Sequence, residues 1–342
     1  MQLIVDGRPL VGNRTGIGVH TAEIIHRLGF APAPTIGSHA PIENREGIDH
    51  CNFVVDSAPL GVIWQQMKLP RIAGDILWGP HGTLPLSWRR PSVVTLHDFT
   101  SITMAARHRI KTIVSFNLFI ARSLELATRV ACVSRHVADQ AIRSFGVPAW
   151  KIELVANGVD EQFFTPPDES SRGDYLLYAG TLEPRKGIDD LLAAWHALPA
   201  PRPRLVLCGD PGWGTKIEPA PGIEVTGFVT RERLRDLYRG SLAFVYPSHD
   251  EGFGIPPLEA MASGAPVIAT RTGAIGEYAE GAAILIEPGD RAALLAGLRR
   301  LLGDASLRNE LSVLGPQRAA LWSWNSAART MAALLKEALA CE

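Results

Sequence analysis

The chain has 342 residues, which is long enough for two domains with separate hydrophobic cores. With 46% hydrophobic and 20% charged residues, its composition is that of an ordinary globular protein and excludes a disordered or fibrous one. The formal net charge of −1 argues against a dedicated nucleic-acid-binding protein, so no nucleic acid is expected among its partners.

Short β-rich runs alternate with helical patterns in the first part of the chain. The predicted strands are QLIVD, NFVVD, DILWGP, SVVTLHD, RVACVS and IELVANG, and helices are predicted near 17–29, 110–127 and 135–145. Strands that are apolar on both faces and alternate with helices indicate a parallel sheet covered by helices.

The same alternation restarts after FFTPPDESSRGD, a Pro/Asp/Ser-rich stretch that predicts a linker at 165–173. Strands YLLYAGT, RLVLCGD, IEVTGF, LAFVYPS, PVIATR and AILIEP follow, with helices near 187–198, 230–239 and 256–263 and a long helical tail. The expected fold class is α/β, with two doubly wound Rossmann-like domains at 1–164 and 174–320 and a tail at 321–342.

Neither secretion nor membrane insertion is predicted. MQLIVDGRPL lacks the basic region and cleavage site of a signal peptide, and no apolar run approaches the ~18–20 residues that span a bilayer. The cytoplasm is therefore the expected location. Segment 105–124 mixes basic residues with an apolar stripe, and two interpretations stay open for it: a core helix, or an interfacial helix on the inner face of the membrane.

Two glutamates, Glu251 and Glu259, flank a glycine- and proline-containing loop in HDEGFGIPPLEAMASGAPVIAT. The glycines and prolines exclude a single helix across both residues. We therefore expect Glu251 to follow a strand at 242–247 and Glu259 to lie in the first turn of a new helix. There Glu259 could stabilise the helix dipole, or its carboxylate could accept both hydroxyls of a ribose.

A second motif, GTLEPRKGIDDLL, places Arg185 and Lys186 between a strand and a helix. Two cations beside helix-terminal N–H groups suit a diphosphate, and a solvated basic turn is the alternative. Gly180 and Gly227 end strands, where open α/β sheets bind ligands, although each is also an ordinary strand-to-helix turn.

Two further candidates lie in the first part of the chain. Gly16 begins a Gly-Ile-Gly run that fits a dinucleotide fingerprint poorly, and a flexible loop with N–H groups directed at phosphate fits better. His97 follows the strand SVVTL, where a structural and a functional histidine are equally expected. No metal-ligand spacing and no Asp-x-Asp occurs, so no metal site is expected.

Together, YAGTLEPRKGIDDLLAAW, VYPSHDEGFGIPPLEAMASGAPVIAT, TGIGVHTAEII, LHDFT and ACVSRHVADQAIRSFGVPAWKIELVANGVD resemble family 4 retaining glycosyltransferases of the GT-B fold. The resemblance covers almost the whole chain, and its most specific element is the pair of glutamates eight positions apart. It is nearest to the mannosyl- and rhamnosyltransferases of bacterial cell-surface polysaccharide and lipopolysaccharide assembly.

The resemblance implies a role for each matching residue. Its catalytic set is His97 near the anomeric centre, Arg185 and Lys186 on the diphosphate, and Glu251 on the donor sugar. Its donor-binding set adds Gly180, Gly16 over the phosphates, and the backbone of Gly227 and Phe228 beside the base. It also adds Gly252, Phe253, Gly254 and Ile255 on the sugar and Glu259 on the ribose. It also implies an acceptor-binding N-terminal domain, to which the helix after Trp322 returns.

The implied reaction is metal-independent, retaining transfer of a hexose, with GDP-mannose as the first choice of donor and no cofactor. The implied acceptor is a glycan or a polyprenyl-diphosphate-linked sugar. Three alternatives stay open: a rhamnosyl or UDP-sugar transferase, a phosphorylase or epimerase of the same architecture, and a non-catalytic donor-binding partner subunit.

Overall fold

The computed structural model describes residues 1–14, 16–99, 119–164, 172–210, 212, 217 and 220–341. The chain divides into two compact units: Met1–Gly158 together with Trp324–Glu342, and Val159–Ser323. The first unit thus ends before the expected boundary at 164. Most of the expected linker, at 165–171, lies outside the described residues, as does 105–118 of the candidate interfacial helix.

A seven-stranded parallel sheet with the order β3-β2-β1-β4-β5-β6-β7 forms the centre of the first unit. Its strands are β1 (Leu3–Asp6), β2 (Thr35–Ser38), β3 (Asn52–Val55), β4 (Ile76–Gly79), β5 (Ser92–Leu96), β6 (Arg129–Cys132) and β7 (Ile152–Leu154). The three central strands are buried along their whole length. This explains why they are apolar on both faces rather than alternating.

Three helices of this unit are α1 (Gly16–Arg27), α2 (Gly61–Met67) and α3 (Arg135–Phe145). The bounds of α3 match the prediction because both of its ends carry strong signals. The Ser134 hydroxyl accepts from the Val137 N–H at 3.2 Å, and Gly146 takes a left-handed φ of 64° at the other end.

A six-stranded parallel sheet with the order β10-β9-β8-β11-β12-β13 forms the centre of the second unit. Its strands are β8 (Tyr175–Ala179), β9 (Arg204–Cys208), β10 (Ile223–Gly227), β11 (Ala243–Tyr246), β12 (Val267–Thr270) and β13 (Ile284–Ile286). Its helices are α4 (Ile188–His196), α5 (Arg231–Gly240), α6 (Ile255–Ala262), α7 (Ile275–Tyr278), α8 (Arg291–Gly303) and α9 (Ala305–Ala319). The expected fold class, two doubly wound parallel α/β units, is confirmed.

The last helix, α10 (Trp324–Ala340), belongs to the first unit and packs against α1 and β5. Its apolar side is fully buried, including Trp324 and Leu335. An ion pair of 3.2 Å between Arg129 and Glu337 holds the helix to the end of the sheet near β6. The helical tail is therefore part of the fold of the first unit and not an appendage.

Candidate active site

The centre of the site in the second unit is a buried ion pair between Lys186 and Glu251. Lys186 Nζ lies 2.5 Å from Glu251 Oε1, and both side chains are about nine-tenths buried, with 9% exposure each. The Tyr246 hydroxyl donates to the same carboxylate oxygen at 2.8 Å and accepts from Lys186 Nζ at 3.1 Å. The two charged residues, predicted to bind different parts of a ligand, are in direct contact in the structure.

Electrostatics keep the Glu251 carboxylate ionised in this environment. Burial alone would raise its pKa, but the charge of Lys186, then that of Arg185, together with hydrogen bonds, hold the pKa below its ordinary value. The effect on the neighbouring phenol is opposite. Burial, followed by the negative charge of Glu251, raises the pKa of Tyr246, which therefore stays a hydrogen-bond donor at neutral pH.

Arg185 lies beside this pair on a 3₁₀ turn, Pro184–Lys186. Its Nε donates to Glu183 at 3.1 Å, and its Nη1 donates to the Asp250 carbonyl at 3.4 Å. Its own carbonyl accepts from the His249 N–H at 2.8 Å. The strand-to-helix turn that carries the two cations is thus joined to the loop that carries Glu251 by one backbone hydrogen bond and one bond from the Arg185 side chain.

A second set of contacts, centred on Asp190, holds the loop that carries His249 and Glu251. Asp190, on the first turn of α4, accepts from His249 Nε2 at 2.7 Å and pairs with the guanidinium of Arg291. Burial would raise the pKa of this carboxyl, but the two hydrogen bonds and the charge of Arg291 keep it low. This triad could not be predicted from the sequence, because its members lie on three separate elements and match no short motif.

Gly187 allows the turn that carries Arg185 and Lys186 to approach the loop that follows β11 closely. It takes a φ of +69°, and a Cβ added there would lie 2.0 Å from the Pro247 carbonyl oxygen. Both the backbone conformation and the missing side chain are therefore required for the turn after Lys186 to reach the end of β11.

Replacement of Gly187 by alanine is expected to lower the thermal unfolding midpoint at least twice as much as replacement of Gly289. Gly289 has a similar φ of +81° with open space around it, so Gly289→Ala reports only the strain of the left-handed backbone, about 1–2 kcal/mol. Gly187→Ala adds the clash with Pro247. Equal melting temperatures for the two variants would contradict the close approach.

The loop 252–255 leads from Glu251 into α6. The Glu251 N–H donates to the Thr272 hydroxyl at 3.3 Å, and Gly254 precedes the helix with a φ of 86°. The Tyr278 hydroxyl donates to the Gly254 carbonyl at 2.5 Å. Phe253 is buried with its ring 5.6 Å from that of Tyr278. The backbone of this loop is therefore held by the turn after β12 and by α7, as a rigid ligand-binding loop requires.

Glu259 lies in the second turn of α6, so the expectation that it lies in the first turn is wrong. The helix begins at Ile255, because prolines 256 and 257 fit the first turn, where no N–H donor is needed. Its carboxylate is buried and accepts from the Tyr238 hydroxyl at 3.4 Å, with Arg231 at 3.8 Å. A helix-dipole role is therefore weaker than the sequence suggested, since that effect is confined to the first turn.

The two predicted strand-end glycines, Gly180 and Gly227, lie at the carboxyl ends of β8 and β10, on either side of β9. The Gly180 N–H donates to the Cys208 carbonyl at 2.9 Å, and the Gly227 carbonyl accepts from the Gly209 N–H at 3.0 Å. Phe228 follows with 64% of its side chain exposed. An exposed aromatic ring beside a sheet edge can stack on a planar ligand, which is compatible with the predicted base contact.

The remaining two predicted residues, His97 and Gly16, belong to the first unit. His97 Nε2 donates to the Pro80 carbonyl at 2.9 Å, and the ring stands edge-on to His20 at 4.7 Å. Burial lowers the pKa of His97 to about 4, so the imidazole is neutral at pH 7. Gly16 starts α1, so the expected flexible loop is at this point the beginning of a helix.

Among the described residues, no group of three His, Cys, Asp or Glu side chains lies close enough together to bind a metal ion. Helices in the same ranges are all too short or too polar to cross a bilayer.

Two glycosyltransferase family models together match most of the chain. Residues 16–163 match the family model "Glycosyltransferase Family 4", and residues 160–318 match "Glycosyl transferases group 1". The O-antigen chain mannosyltransferase B of Escherichia coli is 28% identical, over 95% of this chain and 97% of its own length.

Solved structures support the same fold. Sucrose-phosphate synthase from Thermosynechococcus elongatus superposes with a TM-score of 0.79 at 21% identity, over 100% of both chains. Anabaena HepE, in complex with UDP and glucose, superposes with a TM-score of 0.78 at 19% identity, over 98% of this chain and 99% of its own. The two Rossmann-like units are thus those of the GT-B fold.

Proposed function

Because the chain belongs to the family 4 glycosyltransferases, we propose that it transfers mannose from GDP-mannose to a glycan or lipid-linked acceptor. The observation that carries the proposal is the cluster of Lys186, Glu251 and Tyr246 with Arg185 beside it. The mannosyltransferase relative over nearly the whole chain supports the choice of sugar and a place in polysaccharide or lipopolysaccharide assembly.

The donor is held through its charged diphosphate and through the hydroxyls of its sugar and ribose. Arg185 and Lys186 bind the diphosphate, whose negative charge joins that of Glu251 beside Lys186. Glu251 accepts hydrogen bonds from hydroxyls of the sugar, and the backbone N–H groups of 252–255 donate hydrogen bonds to the sugar. Glu259 accepts the ribose hydroxyls, which suits a carboxylate oriented by Tyr238 and Arg231.

The reaction is retaining transfer. The bond between the anomeric carbon and the β-phosphate oxygen breaks, and the acceptor hydroxyl forms its bond to that carbon from the same face. The acceptor proton passes to the departing phosphate, and the nucleoside diphosphate leaves. Arg185 and Lys186 stabilise the charge that develops on this leaving group, so side chains supply the role that a metal has in other transferases.

His97 is proposed to contact the donor sugar near the anomeric carbon. With its one N–H donated to the Pro80 carbonyl, the neutral imidazole can accept a hydrogen bond from a sugar hydroxyl at Nδ1, and it does not repel the positive charge that develops on the sugar ring. The proposed location is the cytoplasm, where nucleotide sugars are substrates.

Other donors are the main alternative. HepE binds UDP and glucose at 19% identity, which favours a UDP-sugar as the second choice of donor, and a rhamnosyl donor is the third. A donor-binding subunit without activity would require a decayed site. The ion pair, its tyrosine and the loop contacts described above argue against decay.

The test is a thermal-shift screen of GDP-, UDP-, dTDP- and ADP-sugars with EDTA present. GDP-mannose at about a hundred times its Kd is expected to stabilise the protein by ~2.7 kcal/mol, a shift of about 5–10 °C for a domain of this size. A larger shift with a UDP-sugar would show that the base of the donor is uracil and not guanine. No shift with any nucleotide sugar, or a transfer product of inverted anomeric configuration, would contradict the proposal.

A further inference from the structure

A buried histidine of α1, His20, has no role in the chemistry described above. Its side chain is fully buried, and its Nδ1 lies 2.6 Å from Asn157 Oδ1. Because an amide oxygen can only accept, Nδ1 carries the proton and donates to Asn157. The rings of Trp78 and Trp324 stand edge-on to the imidazole, with 6.1 and 6.0 Å between centroids. Both the tautomer and the plane of the His20 ring are therefore fixed.

The second ring nitrogen of His20 destabilises the fold. Nε2 is buried and has no hydrogen-bond partner among the described residues. A buried polar atom without a partner is unfavourable, whereas the ring of a phenylalanine would fill similar space without one. Burial, and then the electrostatic influence of His97, lower the pKa of His20, so its imidazole is neutral at pH 7. Neither packing nor charge accounts for a histidine at this position, and the bond from Nδ1 does.

That bond lies where the chain passes between the two units. The first unit ends one residue after Asn157, and the chain returns to it at Trp324. The next residues on the other side of the two crossings, Val159 and Ser323, form a parallel β-bridge. The two crossing segments therefore run side by side, and His20 contacts the first-unit end of both.

His20 also contacts His97, the residue proposed to lie near the anomeric carbon. The two rings are perpendicular, with an angle of 89° and 4.7 Å between centroids. The bond from His97 Nε2 to the Pro80 carbonyl leaves rotation about the Cβ–Cγ bond possible, because Nε2 lies close to that axis. The edge-on contact with the fixed ring of His20 restricts this rotation. His97 Nδ1 thereby keeps one direction.

We propose that His20 is a positioning residue, which holds the His97 ring in one orientation and connects that orientation to Asn157, where the chain leaves the first unit. The role in transfer rests on the proposed function, because His20 acts through His97, whereas the connection itself does not. With the ring held, Nδ1 is directed at the sugar each time a donor binds. Without this restraint fewer bound donors have the contact, so turnover falls, and donor affinity changes little because other residues bind the diphosphate and the ribose.

Two variants remove the bond from opposite ends. His20→Phe keeps a ring between the two indoles, and Asn157→Ala removes the acceptor. Both are expected to lower kcat about tenfold and to leave KM for GDP-mannose within about twofold of the wild type. His26→Phe, at an exposed histidine of the same helix, is the matched control and should change neither constant. An unchanged kcat in both His20→Phe and Asn157→Ala would overturn the proposal.

A merely structural role is distinguished by two further readouts. His20→Phe exchanges an unpaired nitrogen for a ring carbon, so its melting temperature should stay close to that of the wild type while kcat falls. In a His97→Ala background, His20→Phe should lower kcat by less than about twofold more, because the residue through which it acts is gone. A further tenfold fall in that background would show that His20 does not act through His97.

Imidazole ¹⁵N NMR of the full chain with labelled histidine tests the connection with no substrate present. In the wild type we expect the proton on Nδ1 in His20 and on Nε2 in His97. Asn157→Ala should abolish the tautomer preference of His20 and shift the His97 resonances, and His26→Phe should change neither. Unmoved His97 resonances in Asn157→Ala would overturn the positioning role. If they move but no nucleotide sugar is turned over by the wild type, the transferase proposal fails and the connection stands.

Discussion

Replacement of Lys186 by methionine is expected to lower kcat/KM by ~10²–10³-fold, because it removes a preorganised charge beside the departing diphosphate. The same change leaves Glu251 buried without the cation that contacts it, while the Tyr246 hydroxyl still donates to Oε1. Breaking a buried pair in this way costs about 3–5 kcal/mol. Activity is measured with GDP-mannose and acceptor, and stability by thermal unfolding.

The pH dependence gives a readout that lost activity alone does not. In the wild type the pKa of Glu251 is lowered, so its contribution to stability is present above its ordinary pKa and is lost as pH falls through the lowered value. In Lys186→Met the strongest influence that lowers this pKa is removed, so the pKa rises, while the charge of Arg185 still acts in the lowering direction. The stability that the ionised carboxylate contributes should therefore shrink, and the stability difference between the wild type and the variant should widen as pH rises from 4 towards 7.

A double-mutant cycle separates the pair from its members. Glu251→Gln removes the negative charge and keeps the shape, so the double variant should be more stable than Lys186→Met alone. Tyr246→Phe, which removes only the hydroxyl, is the milder control and should cost ~1 kcal/mol. Strict additivity of the two single changes would show that the two charges do not interact, contrary to the 2.5 Å contact.

Most strands of the two sheets could be predicted from the sequence, because a buried parallel strand appears in it as a short apolar run. The strand β2 was missed, together with α2, because TIGS contains a glycine and two small polar residues. The structure explains the glycine. A Cβ on Gly37 would lie 3.1 Å from the ring of Trp64 on α2, so glycine is needed for this helix to pack against β2. No local sequence pattern predicts that helix.

The motif around Glu251 and Glu259 predicted a strand, a loop and a helix in the correct order, because Gly and Pro carry strong local signals. It could not predict that Glu251 contacts Lys186, since the two residues are 65 positions apart and no local pattern links them. Tyr246 was hidden for another reason: in the apolar strand β11 it looked like an ordinary core residue. Only the tertiary structure shows its hydroxyl on the carboxylate.

Replacement of Arg185 by alanine is expected to lower kcat/KM by ~10²-fold or more, mainly through kcat. The guanidinium is fixed between Glu183 and the Asp250 carbonyl, so it is oriented before any ligand binds and pays little reorganisation when charge develops on the diphosphate. Arg185→Lys keeps the charge and loses the fork geometry, and should have an intermediate rate. Near wild-type turnover of Arg185→Ala would contradict the diphosphate assignment.

Product inhibition can assign this effect to the phosphates. The inhibition constant of GDP should rise at least ~10-fold in Arg185→Ala, because charge-assisted hydrogen bonds to phosphate are lost, while that of guanosine should stay within about twofold. Arg204→Ala is the matched control, since that arginine is 50% exposed and pairs with Asp174 at the start of β8. Equal rises for GDP and guanosine would instead show that Arg185 shapes the whole donor site, and the specific contribution to catalysis would have to be assigned to Lys186.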